Sequence, residues 1–246
     1  MPLKVIGVGM HTGSWRLCPI YKALIFDLDG TLVDSAIDFR KMKKRSIRFL
    51  EDAGVASGLL TEKMLNHEIE ELAVNDLEKS GLTAVEIKRI LRKVAKIMDA
   101  IELEAIDGVS IVDGVVETLE MLKNLGVKIG IITRSCREYA ILVIDKFGLQ
   151  NVVDAVAARD DVLRSKPAAQ HPRYLMQLLG VKPSETALVG DHLMDALCAE
   201  NADINFFLIA RADTDLSAFK GHQHEVLQDI RGLVRVVGEA CNRKHA

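Results

Sequence analysis

Two carboxylates stand two residues apart after a short apolar run, in the stretch Asp27-Leu28-Asp29-Gly30. The apolar residues 23–26 before them predict a buried parallel strand, so both acids stand where that strand ends. Side chains that flank one residue of an extended segment point roughly the same way, and the repulsion between the two charges favours a bound cation. Oxygen ligands of this kind suit magnesium. The alternative is a polar turn after a core strand, because Asp-Gly is a common turn pair.

Polar side chains of other kinds follow three later apolar runs. Further strands are predicted at 127–132, 152–157 and 186–189. Thr133 follows the first run, Lys166 lies in the loop after the second, and Asp191 follows the third. In a parallel sheet the carboxyl ends of the strands share one edge, so these groups are expected near Asp27 and Asp29. Carboxylates, a hydroxyl and a cation at one edge suit the transfer of a phosphoryl group, where charge neutralisation and positioning dominate.

The elements around these residues alternate between strand and helix. Helical patterns occupy 114–125, 138–147 and 174–179, and a last strand is predicted at 205–210. Alternating strands and helices of this length predict an α/β fold, a doubly wound Rossmann-like parallel sheet.

A purely helical region interrupts this alternation between about residues 35 and 110. Helical spacing is kept by two apolar stripes: Phe39, Met42, Phe49 and Ala53, then Leu65, Ile69, Leu72 and Leu77. Thr83 with Glu86 three residues later predicts a capping box at the start of a further helix. Three or more helices without a strand, inside an α/β chain, predict an inserted helical domain.

The composition excludes several classes of protein. The 246 residues are 49% apolar, and 32 basic against 35 acidic residues give a net charge of −3, which is no footprint for nucleic acid. No apolar run approaches the ~20 residues of a membrane span, and the N-terminus has no convincing signal peptide. Cys18, Cys136, Cys198 and Cys241 show no metal-ligand spacing. They are interpreted as reduced thiols, which predicts a cytoplasmic protein.

The motifs occur in an order that resembles a known family. They are Asp27-Leu28-Asp29-Gly30-Thr31-Leu32-Val33-Asp34-Ser35, Ile131-Ile132-Thr133, Ser165-Lys166-Pro167, and Gly190-Asp191 with Asp195. Together they resemble the haloacid dehalogenase-like superfamily, in its phosphoglycolate-phosphatase-like branch. The resemblance covers about residues 21–240, and the ordered set is far more specific than any single motif.

The resemblance implies a role for each polar residue at the strand ends. Asp27 would be the nucleophile that forms an aspartyl-phosphate, and Asp29 the general acid and then the general base. Thr133 would hold a phosphate oxygen, and Lys166 would neutralise developing charge and orient Asp27. Gly30 joins Thr133 and Lys166 in the implied phosphate-binding set.

The resemblance also implies a Mg²⁺ cofactor. Asp27 and Asp191 would bind the ion with the backbone carbonyl of Asp29, and Asp195 would be a further acidic ligand or an anchor behind the ligands. Clustered carboxylates agree with this assignment, because they need a cation to stay ionised together. Taken alone, Thr133 or Asp191 could be helix caps, and Lys166 a solvated loop residue.

Two features bear on the substrate. Arg134 stands where relatives often have a small or amide residue, and it is either a contact for an anionic substrate or a surface arginine. The first helix of the insert carries a basic run that either meets a second acidic group or is a solvated helix face: Lys41, Lys43, Lys44, Arg45 and Arg48.

The resulting prediction is a magnesium-dependent phosphatase of one small phosphorylated metabolite, with phosphoglycolate as the first substrate guess. It would be a monomer or homodimer with no nucleic-acid or membrane partner. The predicted parts are an N-terminal extension at 1–20, an α/β core at 21–34 and 111–240, and a helical cap at 35–110. Two alternatives stay open: a phosphoryl transferase of the β-phosphoglucomutase kind, and a non-catalytic scaffold or regulator. For residues 1–20 the alternatives are an added edge strand or partner surface, and a poorly ordered or mis-started leader.

Overall fold

The computed structural model describes residues 21–212, 214–222 and 224–242. Its strands are β1 (Ala23–Asp27), β2 (Val33–Asp34), β3 (Ser110–Ile111), β4 (Lys128–Ile132), β5 (Ala155–Ala157), β6 (Thr186–Gly190), β7 (Asn205–Ile209) and β8 (Glu225–Leu227). Its helices are α1 (Phe39–Asp52), α2 (Asn66–Lys79), α3 (Ala84–Glu104), α4 (Val115–Asn124), α5 (Arg137–Lys146), α6 (Gln170–Leu179), α7 (Leu193–Ala202) and α8 (Gly232–Asn242). The extension predicted at 1–20 lies outside the described residues.

Strand β1 lies inside a parallel sheet of six strands, in the order β5-β4-β1-β6-β7-β8. It pairs with β4 on one side and β6 on the other, and Asp27 is in register with Ile132. The carboxyl ends of β1, β4 and β6 therefore meet at one edge of the sheet. The predicted fold class, an α/β fold with a Rossmann-like parallel sheet, is confirmed.

Alternate side chains of β1 pack on opposite faces of the sheet. Leu24 and Phe26 join a core with residues of α4, α5 and α8, whereas Ala23 and Ile25 join a second core with residues of α6 and α7. All four side chains are fully buried, as a central parallel strand covered by helices on both faces requires. Because both faces of β1 are buried, residues 23–26 are all apolar.

Helices α1, α2 and α3 form an insert in the chain between β2 and β3. These short strands pair antiparallel, with Val33 opposite Ile111, and were not predicted. The three helices share an apolar cluster of their own, which includes Leu50, Ile69 and Leu77. The two strands thus join the insert to the sheet by two adjacent chain segments.

The predicted faces of the insert helices need two corrections, because Phe39 at the start of α1 and Leu65 just before α2 are 51% and 41% exposed. The capping box of Thr83 and Glu86 at the start of α3 is confirmed, and Ile69 and Leu77 of α2 are buried as expected. In α1, however, Met42 is buried while Phe39 is 51% exposed. Helical spacing defines a face, but it does not show how far the neighbouring helices extend along it, and Phe39 stands in the first turn.

The sheet has one more strand at its β7 edge than the sequence predicted. The strand predicted as the last, at 205–210, is followed by β8, which pairs parallel with β7. Only three residues long and starting with Glu225, β8 has no apolar run that a sequence pattern could detect. Helix α6 begins at Gln170, earlier than predicted. Pro172 falls in its first turn, where proline is tolerated, so this proline does not prevent the earlier start.

Within the described ranges, no helix combines the length and apolar character that a bilayer crossing requires.

Candidate active site

Asp27 ends β1 beside a buried lysine. The Lys166 ammonium pairs with Oδ1 of Asp27 and lies 2.7 Å from Oδ1 of Asp195, in the first turn of α7. Burial and the nearby Asp195 raise the pKa of Asp27, while Lys166 opposes that rise. Burial lowers the pKa of Lys166, but the carboxylates of Asp195 and Asp27 outweigh it and raise that pKa above its usual value. Lys166 therefore stays charged between the two acids.

Three carboxylates meet where a cation would fit. Oxygens of Asp27, Asp191 and Asp195 all lie within 4.8 Å of one another. Burial and the charge of Asp195 raise the pKa of Asp191, and the Thr31 hydroxyl donates to Asp191 at 3.0 Å. Such a set of hard oxygen donors fits a divalent cation such as Mg²⁺.

Two glycines, which have no side chain, leave space for the carboxylates of Asp191 and Asp195. A Cβ at Gly30, where φ is +99°, would lie 2.5 Å from Oδ2 of Asp191, and one at Gly190 would lie 2.5 Å from Oδ2 of Asp195. Any side chain at either position would displace an acid of the cluster. The carbonyl of Gly30 accepts from Arg211, which also pairs with Asp34 and so anchors the loop after β1.

The carboxylate of Asp29 is held by hydroxyl groups. Tyr139 of α5 donates to Oδ1 at 2.8 Å, and Ser135 and Thr133 donate to Oδ2 at 2.9 and 3.3 Å. Burial raises the pKa of Asp29, and these hydrogen bonds oppose the rise. Because both side-chain oxygens face hydroxyls, the implied metal contact of this residue would come from its backbone carbonyl. Ser135 and Tyr139 were not predicted; the spacing of Ser135, two residues after Thr133, could have indicated it, whereas no local spacing could have indicated Tyr139.

The turn after β4 carries Thr133 and Arg134. The Thr133 hydroxyl is buried next to Asp29 and also accepts from the Ser135 N–H at 3.0 Å. Burial and the nearby Arg159 lower the pKa of Arg134, while the charges of Asp195 and Asp27 act in the opposite direction. Among the described residues, the Arg134 guanidinium has no hydrogen bond or ion pair. It is therefore available to an anion near Asp27.

A buried histidine that the sequence did not indicate fixes the loop of Lys166. Nδ1 of His171 accepts from the Lys166 N–H at 3.1 Å, and Nε2 lies 3.0 Å from the Ala157 carbonyl at the end of β5. Burial and the Lys166 charge lower the pKa of His171 to about 4. The ring is thus neutral, with its proton on Nε2, and it joins the Lys166 loop to the sheet.

A second group of possible metal ligands serves an arginine instead. Asp99, Glu102 and Cys136 lie within 4.8 Å of one another, but Arg159 pairs with both acids. Burial raises the pKa of the Cys136 thiol to about 12, so the sulfur stays protonated. The Cys136 side chain is buried. On the basic helix, Lys41 pairs with Glu104, so part of that charge is already neutralised.

Comparison with known proteins identifies the family. The model of the haloacid dehalogenase-like hydrolases matches residues 24–209, and the chain belongs to this family. The matched range contains all the acids of the site, Lys166 and the helical insert.

Relatives and solved structures agree with this assignment. The chain is 23% identical to pyrophosphatase PpaX of Oceanobacillus iheyensis over 89% of its length and 98% of that protein. It is 26% identical to the phosphoglycolate phosphatase of Agrobacterium fabrum, over 93% of this chain and 97% of that one. The predicted family and enzyme class, a hydrolase of the phosphatase type, are confirmed.

Two crystal structures resemble the fold at lower sequence identity. A hydrolase from Pseudomonas syringae matches with a TM-score of 0.59 at 21% identity, covering 89% of this chain and 98% of that one. CbbY from Rhodobacter sphaeroides, in complex with phosphate, matches with a TM-score of 0.56 at 20% identity, covering 87% and 96%. At this level of identity the likeness shows the shared fold.

Proposed function

We propose that this protein is a Mg²⁺-dependent phosphatase that hydrolyses a small phosphomonoester through an aspartyl-phosphate on Asp27. The observation that carries the proposal is the placement of Asp27, which pairs with Lys166 and shares a cluster with Asp191 and Asp195. Lys166 occupies one carboxylate oxygen of Asp27 and leaves the other for attack on phosphorus.

In the first step, the carboxylate of Asp27 attacks phosphorus, a P–O bond to Asp27 forms, and the bond to the leaving oxygen breaks. Asp29 gives that oxygen its proton, so the leaving group departs as a neutral alcohol. The charge of Lys166 stabilises the oxygens of the phosphoryl group during transfer, and the Thr133 hydroxyl, which donates to Asp29 at 3.3 Å, would turn to one of them. The hydroxyls of Thr133, Ser135 and Tyr139 support this role because they fix the orientation of Asp29.

In the second step, Asp29 takes a proton from a water molecule, and the water oxygen attacks phosphorus. The bond between phosphorus and Asp27 breaks, which restores the carboxylate and releases inorganic phosphate. A bound Mg²⁺ would be held by Asp27, Asp191 and Asp195, with the Asp29 carbonyl, and would supply positive charge to the phosphoryl oxygens. Lys166 also pairs with Asp195, so its positive charge remains beside the acids of the cluster.

The helical insert is proposed as a cap that covers the substrate. Residues 35–110 as a separate domain, and 21–34 with 111–240 as the core, are supported by the apolar cluster that α1, α2 and α3 share. A closed cap would exclude bulk water from the aspartyl-phosphate. The relatives suggest phosphoglycolate and pyrophosphate as the first compounds to test, and Arg134 is the proposed contact for substrate charge.

The test is phosphate release from a panel of small phosphate compounds, phosphoglycolate and pyrophosphate included. The panel is run with Mg²⁺, with a chelator, and with the variant Asp27→Asn; Asp203→Asn, at an exposed residue, is the matched control. Release that requires both the metal and Asp27, but not Asp203, is the expected result. Isomerisation of a sugar phosphate without phosphate release would replace the proposal by a mutase. No reaction with any compound, in folded and metal-loaded protein, would contradict it.

A further inference from the structure

A salt bridge between the insert and the core holds the turn that carries Thr133 and Arg134. Arg159, just after β5, donates from Nη1 to the carbonyl of Arg134 at 2.7 Å and from its N–H to the carbonyl of Ser135 at 3.1 Å. From the insert, Oε2 of Glu102 on α3 accepts from the N–H of Cys136 at 2.8 Å. The backbone of the turn is therefore fixed by one residue from the core and one from the insert.

These two residues also bind each other. Nη1 and Nη2 of Arg159 lie 2.6 and 3.1 Å from Oε1 and Oε2 of Glu102, and Nη2 lies 2.6 Å from Asp99. Glu102 is 2% exposed, and the Arg159 side chain is 18% exposed. A two-pronged guanidinium–carboxylate pair in this setting has a defined geometry, and the loss of one partner leaves the other charge buried and uncompensated.

The same turn positions Asp29. Its hydroxyl groups, on Thr133 and Ser135, donate to Oδ2 of Asp29. A continuous set of hydrogen bonds therefore leads from α3 through Arg159 and the turn to the carboxylate of Asp29. Displacement of the turn would move two of the donors that hold this carboxylate.

We propose that Arg159 and Glu102 are a positioning pair, which places Asp29 for proton transfer when the insert lies against the core. The inference rests on the proposed role of Asp29 as general acid. Neither residue takes part in the chemistry; both act through the backbone of residues 134–136.

The leaving group makes this role measurable. An alkoxide must be protonated as it departs, whereas 4-nitrophenolate is stable enough to leave without a proton. The ratio kcat/KM reports events up to the first irreversible step, which here is transfer to Asp27. Misplacement of Asp29 should therefore lower kcat/KM for an alkyl phosphate far more than for 4-nitrophenyl phosphate.

The experiment compares these two substrates in Arg159→Met, Arg159→Lys and Glu102→Gln. Tyr139→Phe, which removes a donor to Asp29 that lies outside this turn, is the positive control. Arg231→Met is the matched negative control, because Arg231 also pairs with two carboxylates, those of Asp113 and Asp229, and contacts none of the site residues. The alkyl-to-aryl ratio of kcat/KM should fall about tenfold in Arg159→Met and Glu102→Gln, part of a general acid's effect. It should recover partly in Arg159→Lys.

An unchanged alkyl-to-aryl ratio of kcat/KM in folded variants, whether or not both values fall, would overturn the inference. If Arg159→Met does not fold, Glu102→Gln, which keeps the shape of the side chain, decides. Hydrogen exchange gives a readout without turnover: amides of 133–136 and of the end of α3 should both exchange faster in Arg159→Met than in Arg231→Met. Wild-type protein inactive on every ester would contradict the proposed function, while unchanged exchange would contradict the coupling itself.

Discussion

Nζ of Lys166 lies 2.7 Å from Oδ1 of Asp195, although the resemblance assigns this lysine to Asp27. The ammonium thus serves two acids, one that ends β1 and one in the first turn of α7. With Asp27, Asp191 and Asp195 all ionised, the cluster would carry two negative charges beyond that of Lys166, which a divalent cation would cancel. Lys166 and the cation are therefore expected to be required together.

Replacement of Lys166 by methionine should lower kcat by about a hundredfold or more, because a charge aimed at the transferred phosphoryl group is lost. It should also leave Asp27 and Asp195 buried without their cation, so the free energy of unfolding without metal should fall. Steady-state kinetics and urea unfolding measure the two effects. Lys182→Met, at an exposed lysine, is the control. Wild-type kcat in Lys166→Met would remove the lysine from the mechanism.

Asp191 should determine metal affinity. In Asp191→Asn one charged ligand becomes neutral, so the Mg²⁺ concentration for half-maximal activity should rise about tenfold or more, with activity restored at saturating Mg²⁺. A titration of activity against Mg²⁺ measures this, with Asp203→Asn as the control. An unchanged Mg²⁺ requirement would place the metal elsewhere.

Gly30→Ala tests the space beside Asp191. The new Cβ would lie 2.5 Å from Oδ2 of Asp191, so activity should fall at least tenfold, by an order-of-magnitude estimate, through loss of metal binding. Gly221→Ala is a close control, because Gly221 also has a positive φ, of +90°, but open space around its Cβ position. Both variants should lose about 1 kcal/mol of stability from backbone strain. Equal activity in the two variants would contradict the steric argument.

His171 should make stability fall as the solution becomes acidic. Its pKa is about 4 in the folded protein and about 6.5 in an unfolded chain. Between these values only the unfolded state takes up the proton, so the free energy of unfolding falls with pH, by about 2 kcal/mol from pH 7 to pH 5. Urea unfolding at both pH values should show a smaller fall in His171→Gln. Identical slopes in wild type and His171→Gln would refute the assignment.

The strand ends were predictable because their signal is local. A buried strand such as β1 needs a continuous apolar run, and parallel strands bring their carboxyl ends to one edge, so Asp27, Thr133 and Asp191 had to be neighbours. The capping box of Thr83 and Glu86 is equally local. The catalytic roles of these residues stay predictions, as do the cytoplasmic location and the oligomeric state.

The short strands could not be predicted, because their signal is not local. Strands β2, β3 and β8 have two or three residues each and gain their hydrogen bonds from a partner strand, not from a pattern of their own. The exposure of Phe39 likewise depends on where neighbouring helices end.

The sequence by itself determined the fold class, the order of the strand-end residues and the chemistry that such residues favour, since apolar periodicity and residue type act over a few positions. Only the tertiary structure decided how the acids are held. Tyr139 is 110 residues from Asp29, and Arg159 is 57 residues from Glu102. Contacts over such separations depend on how whole helices pack on the sheet, and no local spacing encodes that packing.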